Sequence, residues 1–196
     1  CQSLKWQLLE LPPGVSIVVA DTSVRRKLTT GGYNTRRAEC ETALSLLKGQ
    51  IPGVASFRDI PLDRFEAIAP SMPENISRRA RHVISEIGRA VKARQFLERG
   101  DFAGFGQLIN ETHISLRDDF EVSCSELNIM VDIAQSLQGS LGARLTGAGF
   151  GGCTVNLVET DKAESFIKQL VGAYSEKTGL VPAVYLSNAS DGAGIL

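Results

Sequence analysis

Apolar and polar residues change their spacing along this chain in a way that separates strands from helices. Leu4, Trp6 and Leu8 alternate with Lys5 and Gln7, the two-residue period of a half-buried strand. Leu11-Pro12-Pro13-Gly14 reads as a turn. Residues 15–20 then form a nearly continuous, β-branched apolar run, predicting a buried strand closed by Asp21-Thr22-Ser23. Residues 24–34 are polar, carry Gly31-Gly32 and predict a loop. The period changes at Cys40, Ala43, Leu44 and Leu47, which predict a helix over about 35–48. A loop to Pro61 and a short helix on Leu62, Phe65 and Ile68, stopped by Pro70, come next.

Three longer helices follow, over about 76–99, 102–117 and 125–137, with Gly100-Asp101 breaking the first from the second. Their short connections predict antiparallel packing between neighbours. Residues 143–146 and 153–158 read as strands flanking a glycine-rich loop. Asp161 with Glu164 looks like an N-cap and its N3 partner, opening a helix on Ala163, Phe166, Ile167, Leu170, Val171 and Tyr174. Residues 183–186 form a last strand, and Ser190-Asp191-Gly192 a final turn. The fold class expected is α+β, an antiparallel or mixed sheet with helices packed on it.

Composition narrows the function. The chain has 196 residues, 43% hydrophobic and 22% charged, with a formal net charge of −1. That is enough length for a proper core, and no global field favours nucleic acid or an anionic membrane. The helix at 76–99 carries Arg78, Arg79, Arg81, Arg89, Lys92 and Arg94. With Glu86 and Glu98 interspersed and no stacking aromatics, a solvated face is expected there. The four cysteines, at 1, 40, 124 and 153, form no C-x-x-C pair, so neither zinc nor a redox dithiol is expected. No signal peptide or apolar run near 18 residues is present, so a cytoplasmic protein with reduced thiols is expected. The opening Cys1-Gln2-Ser3-Leu4 lacks a methionine and is at once strand-like, which reads as a fragment.

The candidate chemistry lies in Leu145-Thr146-Gly147-Ala148-Gly149-Phe150-Gly151-Gly152-Cys153-Thr154. Gly147-x-Gly149-x-x-Gly152 matches the letters of the dinucleotide fingerprint, but a strand rather than a helix follows, so that reading fails. A tight turn between strands remains, or a loop that offers backbone N–H groups to an anion. His82 and His113 read as structural hydrogen-bonding residues. Asp118 and Asp119 read as capping or ion-pairing carboxylates, and Arg36, Arg37 and Glu39 as salt-bridge formers. Arg144 is either a charge near the loop or a surface arginine.

The glycine stretch resembles the third signature motif of the GHMP small-molecule kinases, in the form typical of galactokinase. The same resemblance runs through Asp21-Thr22-Ser23-Val24-Arg25, residues 33–40, residues 79–86, residues 111–124 with Glu126-Leu127, and Tyr185-Leu186-Ser187 with Asp191-Gly192. It implies a GHMP kinase C-terminal portion, with residues 1–33 continuous with a missing N-terminal half and 34–196 forming the C-terminal domain proper. The reaction implied is ATP-dependent phosphorylation of galactose at its anomeric hydroxyl with Mg2+, in a protein that is monomeric when complete. Tyr33 matches a tyrosine that hydrogen-bonds the sugar, although its residues alone suggest a loop tyrosine packed on a helix. Thr146, Gly147, Ala148, Gly149, Gly151 and Gly152 would lie by the nucleotide phosphates. No catalytic or metal-binding residue is expected in this chain, because the general base and the serine-rich phosphate loop would precede Cys1. The fragment alone is therefore expected to be inactive. An N-acetylgalactosamine kinase and a non-catalytic sugar sensor are the alternatives.

Overall fold

A computed structural model describes residues 13–25 and 32–187. The strand expected on Leu4, Trp6 and Leu8, the first half of the Leu11–Gly14 turn and the turn at Ser190-Asp191-Gly192 lie outside the described residues. The elements are β1 (Val15–Asp21), α1 (Gly32–Gln50), α2 (Leu62–Ile68), α3 (Glu74–Glu98), α4 (Phe102–Asp118), α5 (Ser125–Ser136), β2 (Ser140–Thr146), β3 (Cys153–Glu159), α6 (Ala163–Thr178) and β4 (Ala183–Ser187).

The four strands make one sheet in the order β2-β3-β1-β4, antiparallel throughout, so the mixed alternative falls away. β1, from the stretch read as continuous with a missing half, is hydrogen-bonded between β3 and β4. Its apolar run is not uniformly buried: Ser16, Val18 and Ala20 are buried, while Ile17 and Val19 are half-buried. The two faces therefore have different cover. Val18, Ala20, Ala143 and Val158 pack against Met130, Val131 and Ala134 of α5 and Phe166, Leu170 and Tyr174 of α6. Each fully buried Phe or Leu here stabilises by about 2 kcal/mol. On the opposite face, Ile17, Val155 and Leu157 meet α3 and α4 across a cavity of about 370 Å3.

α4 approaches β2 backbone to backbone. A Cβ on Gly106 would lie 1.9 Å from the Leu141 carbonyl oxygen, and one on Gly142 2.3 Å from that of Gly106. The contact falls at the irregularity between Ser140 and Gly142. Asn110 secures it, its Oδ1 accepting from the Ala143 N–H at 2.8 Å and from Gln135 Nε2 at 2.9 Å. Antiparallel neighbour packing holds for α3 on α4, but α4 and α5 each pack chiefly on β2. A second core joins α1, α2 and α3 through Leu47, Ile51, Phe65 and Ile84. A third, of Val122, Leu127 and Leu145, lies under Phe150 of the glycine loop.

Two local expectations fail. Asp161 does not cap α6: residues Thr160–Lys162 form a 3-10 turn, Lys162 occupies the cap position, and Asp161 pairs with Lys162 Nζ at 3.1 Å. The basic side chains of α3 are not simply a solvated face. Arg78, Arg81, Arg89 and Arg94 each pair with a glutamate, and Arg79 is buried, only 2% exposed.

His82 is buried with it, its Nδ1 2.9 Å from Ser115 Oγ and its ring stacked on Phe120 at a centroid distance of 4.4 Å. Burial pushes its pKa down to about 4, from 6.5. The folded protein then refuses a proton that the unfolded chain accepts, so stability is full above pH 6.5 and is lost as pH falls toward 4. Between pH 7 and pH 5 we expect His82 to take away about 2 kcal/mol. Urea denaturation of the protein and of His82→Gln at both pH values checks this. An equal acid loss in the variant would refute it.

Candidate functional site

The glycine loop closes the β2–β3 hairpin from Thr146, which pairs with Cys153. Its backbone is left-handed at almost every step: Gly147 at φ 82°, Gly149 at 76°, Phe150 at 61°, Gly151 at 124° and Gly152 at 83°. These glycines do two different jobs. Gly149 and Gly151 are buried against foreign backbone, where a Cβ would come within 2.0 Å of the Val122 oxygen and 2.8 Å of the Val24 oxygen. Gly147 and Gly152 meet nothing within 4 Å, so their requirement is φ alone. Gly147 and Ala148 are exposed at the tip, while Thr146 is half-buried. The tip is thus the part of the loop open to a ligand, and the rest is bracing.

Two segments brace it. From one side, Thr22 donates to the Gly152 carbonyl twice, through N–H at 3.0 Å and Oγ1 at 2.7 Å. The Gly152 N–H donates to the Val24 carbonyl at 3.0 Å. Thr22 is itself held by Tyr174 Oη, which donates to its carbonyl at 3.0 Å. From the other side, the Phe150 N–H donates to the Val122 carbonyl at 2.7 Å. Below, the Leu145 N–H donates to Nδ1 of His113 at 3.3 Å, and burial first, then the Arg117 charge, holds this imidazole below its ordinary pKa. Both histidines are therefore engaged in holding structure.

α1 begins three residues earlier than its apolar period predicts, and its first residue lies against the loop. A Cβ on Gly32 would lie 2.7 Å from the Phe150 ring, so only glycine lets the helix start seat there. Tyr33 is the next residue, a helical residue rather than a loop one, and 56% exposed. The structure thereby brings Tyr33 and the glycine loop to one place. Arg144 is half-buried on β2, donating to the Leu145 carbonyl at 3.0 Å, and lines the cavity against α3 and α4.

Asp118, Glu39 and Glu41 follow the ion-pairing reading, while Asp119 accepts from a hydroxyl. Asp118 takes Arg117, whose hydrogen bond holds it below the usual carboxylate range, and Asp119 Oδ2 accepts from Ser115. Arg37 pairs with Glu41, and Arg36 with Glu39. Among the described residues no group of three or more His, Cys, Asp or Glu gathers to hold a metal ion. No helix among them is long and apolar enough to cross a membrane. Thr22, Val24, Val122 and Arg79 were not legible as site-forming. All four lie in segments that resemble the kinases, and that is the available signal.

Residues 93–176 match the family described as GHMP kinases C terminal. The chain is 46% identical over 194 residues to a galactokinase from Roseiflexus sp. (strain RS-1), covering 99% of this chain and 50% of that protein. It is 41% identical over 196 residues to a galactokinase from Fusobacterium nucleatum, with the same coverage. The chain thus spans about half the length of these relatives. Among solved structures, Lactococcus lactis galactokinase complexed with galactose superposes with a TM-score of 0.88 at 35% identity, over 93% of this chain and 47% of that one. Residues 93–176 thus carry the GHMP kinase C-terminal family match, and the chain is similar along nearly its whole length to galactokinases.

Proposed function

We propose that this chain is the C-terminal part of a galactokinase, which transfers the γ-phosphoryl group of ATP to the anomeric hydroxyl of galactose. The observation that carries the reading is likeness to galactokinases over 99% of the chain, far beyond the glycine motif. In the reaction the sugar oxygen forms a bond to the γ-phosphorus, the bond to the ADP oxygen breaks, and the hydroxyl proton passes to a carboxylate outside this chain. Catalysis of this kind rests on positioning and charge stabilisation.

This chain's contribution is placement. Tyr33, exposed at the head of α1, offers a phenol that both donates and accepts, which suits a sugar hydroxyl. Thr146 and the Gly147-Ala148 tip edge the phosphates, with Gly149, Gly151 and Gly152 fixing the tip in place. Mg2+ would accompany ATP, and the complete protein would be a cytoplasmic monomer.

The test is ADP release with galactose and ATP. The 196-residue chain alone is expected to give none. Joined to the N-terminal half of the Roseiflexus galactokinase, it should turn over galactose. Turnover by the chain alone would overturn the division of labour, and a folded joined protein that ignores galactose would overturn the substrate.

A further inference from the structure

The buried guanidinium of Arg79 has a geometry that stability alone does not explain. Burying an arginine is unfavourable unless its donors are met, and even then a buried ion pair seldom beats an apolar replacement. Arg79 reaches three separate segments. Its Nε donates to Glu39 of α1 at 2.7 Å, its Nη1 to the Asp119 carbonyl after α4, and its Nη2 to Glu121 Oε2. Arg36, one turn beyond Tyr33, grips the same two acids: Nη1 lies 2.8 Å from Glu39 Oε2, and Nη2 lies 3.6 Å from Glu121 Oε2 while donating to the Glu121 main-chain carbonyl at 3.2 Å. Arg78 takes the other Glu121 oxygen at 2.7 Å. Three cations thus share two carboxylates, an unbalanced set for a purely structural clamp.

The network also touches strained backbone. Glu121 holds φ 53°, a left-handed conformation uncommon for a non-glycine residue. The next residue is Val122, whose carbonyl takes the Phe150 N–H and fills the space a Cβ on Gly149 would need. Phe150, at φ 61°, lays its ring on Gly32, the residue before Tyr33. The contacts therefore close a ring: Arg79 to Glu39 and Arg36, along α1 to Gly32, across to Phe150, back through Val122 and Glu121 to Arg79.

We propose that Arg79 is a positioning residue that locks the Tyr33 end of α1 and the glycine loop into one fixed geometry. On the galactokinase reading, on which this use of the coupling rests, it aligns the sugar with the phosphates. Neither site segment can then shift without the other, and the strain at Glu121 and Phe150 persists because the ring holds it.

Two variants test this, Arg79→Lys, which keeps the charge but loses the fork, and Glu121→Gln, which keeps the shape but loses the charge. In the 196-residue chain, hydrogen exchange at the Phe150 amide and over α1 near Arg36 should quicken at least tenfold. The β3 amides from Val155 to Val158 should stay unchanged. In the joined kinase, kcat should fall at least tenfold while KM for galactose and ATP moves less than threefold. Unchanged exchange at Phe150 in a folded variant would overturn the proposal, and so would quickening that spreads equally to β3, since that is a loss of global stability. Local quickening in a chain whose joined form never turns over would support the coupling and overturn the galactokinase reading instead.

Discussion

Replacing Gly106 with alanine is expected to destabilise the protein by at least about 3 kcal/mol, the upper end for overpacking a closed interior. The new methyl would sit 1.9 Å from the Leu141 carbonyl oxygen, and that oxygen belongs to backbone, not to a flexible side chain. Backing α4 away from β2 would stretch the Asn110 bond to the Ala143 N–H and open the apolar face behind it. Shifting β2 instead would disturb its ladder with β3 and the hairpin that carries the glycine loop. Neither side can yield cheaply. Gly172 is the control, an exposed helical glycine with nothing within 4 Å of its missing Cβ. Gly172→Ala should be neutral or gain up to about 1 kcal/mol. Urea midpoints of the two variants decide the matter, and equal midpoints would sink the account.

The second large effect is expected at Arg79. Arg79→Met preserves much of the volume but strands Glu39 and Glu121, and removing one partner of a buried ion network typically costs about 3–5 kcal/mol. Glu39 is the more exacting of the two. Burial works to raise its carboxyl, yet the hydrogen bonds and charges of Arg79 and Arg36 outweigh burial and hold it below the ordinary range. Glu121 is 37% exposed, so water softens its loss. The figure should fall near the lower end for that reason. Adding Glu39→Gln to Arg79→Met should recover part of the stability, because the stranded charge is then gone. If the double variant is weaker than the sum of the two singles, the pairing is not what holds Arg79 inside.

The sequence was most readable where one residue's environment depends on neighbours three or four positions away. α3, α5 and α6 present long apolar stripes, and their limits fall within a few residues of the periodic pattern. The antiparallel strands around the glycine loop were legible for the same local reason. What escaped notice depends on distant partners. Gly32 looks like loop until Phe150, more than a hundred residues later, is laid against it. Arg79 looks like one more solvated cation on a basic helix, because Glu39 and Glu121 approach from 40 and 42 positions away on either side. Asp161 followed by Glu164 has the letters of a cap, but β3 runs straight into a 3-10 turn there and the Thr160 N–H is taken by the Gly14 carbonyl. At the loop itself, glycine content announced freedom of φ, while the division between bracing and exposed tip required the Val24 and Val122 carbonyls.

The strand order has a consequence for how this protein is made. β1 is the first of the described strands in the chain, yet both strands that flank it are made more than 130 residues later: Asp21 pairs with Cys153, and Val18 with Leu186. At ordinary rates of about 5–20 residues per second, β1 waits on the order of ten seconds on the ribosome before β3 exists. During that interval Val18 and Ala20 lack the β3 and β4 partners that flank them in this sheet. The helices made in between can collapse on one another through their own short-range contacts, but this sheet can close on β1 only after β3 has been made. Late, long-range closure of this sort is slow and exposed to aggregation. Of the four described strands, β1 is thus the first to be written and among the last to be secured.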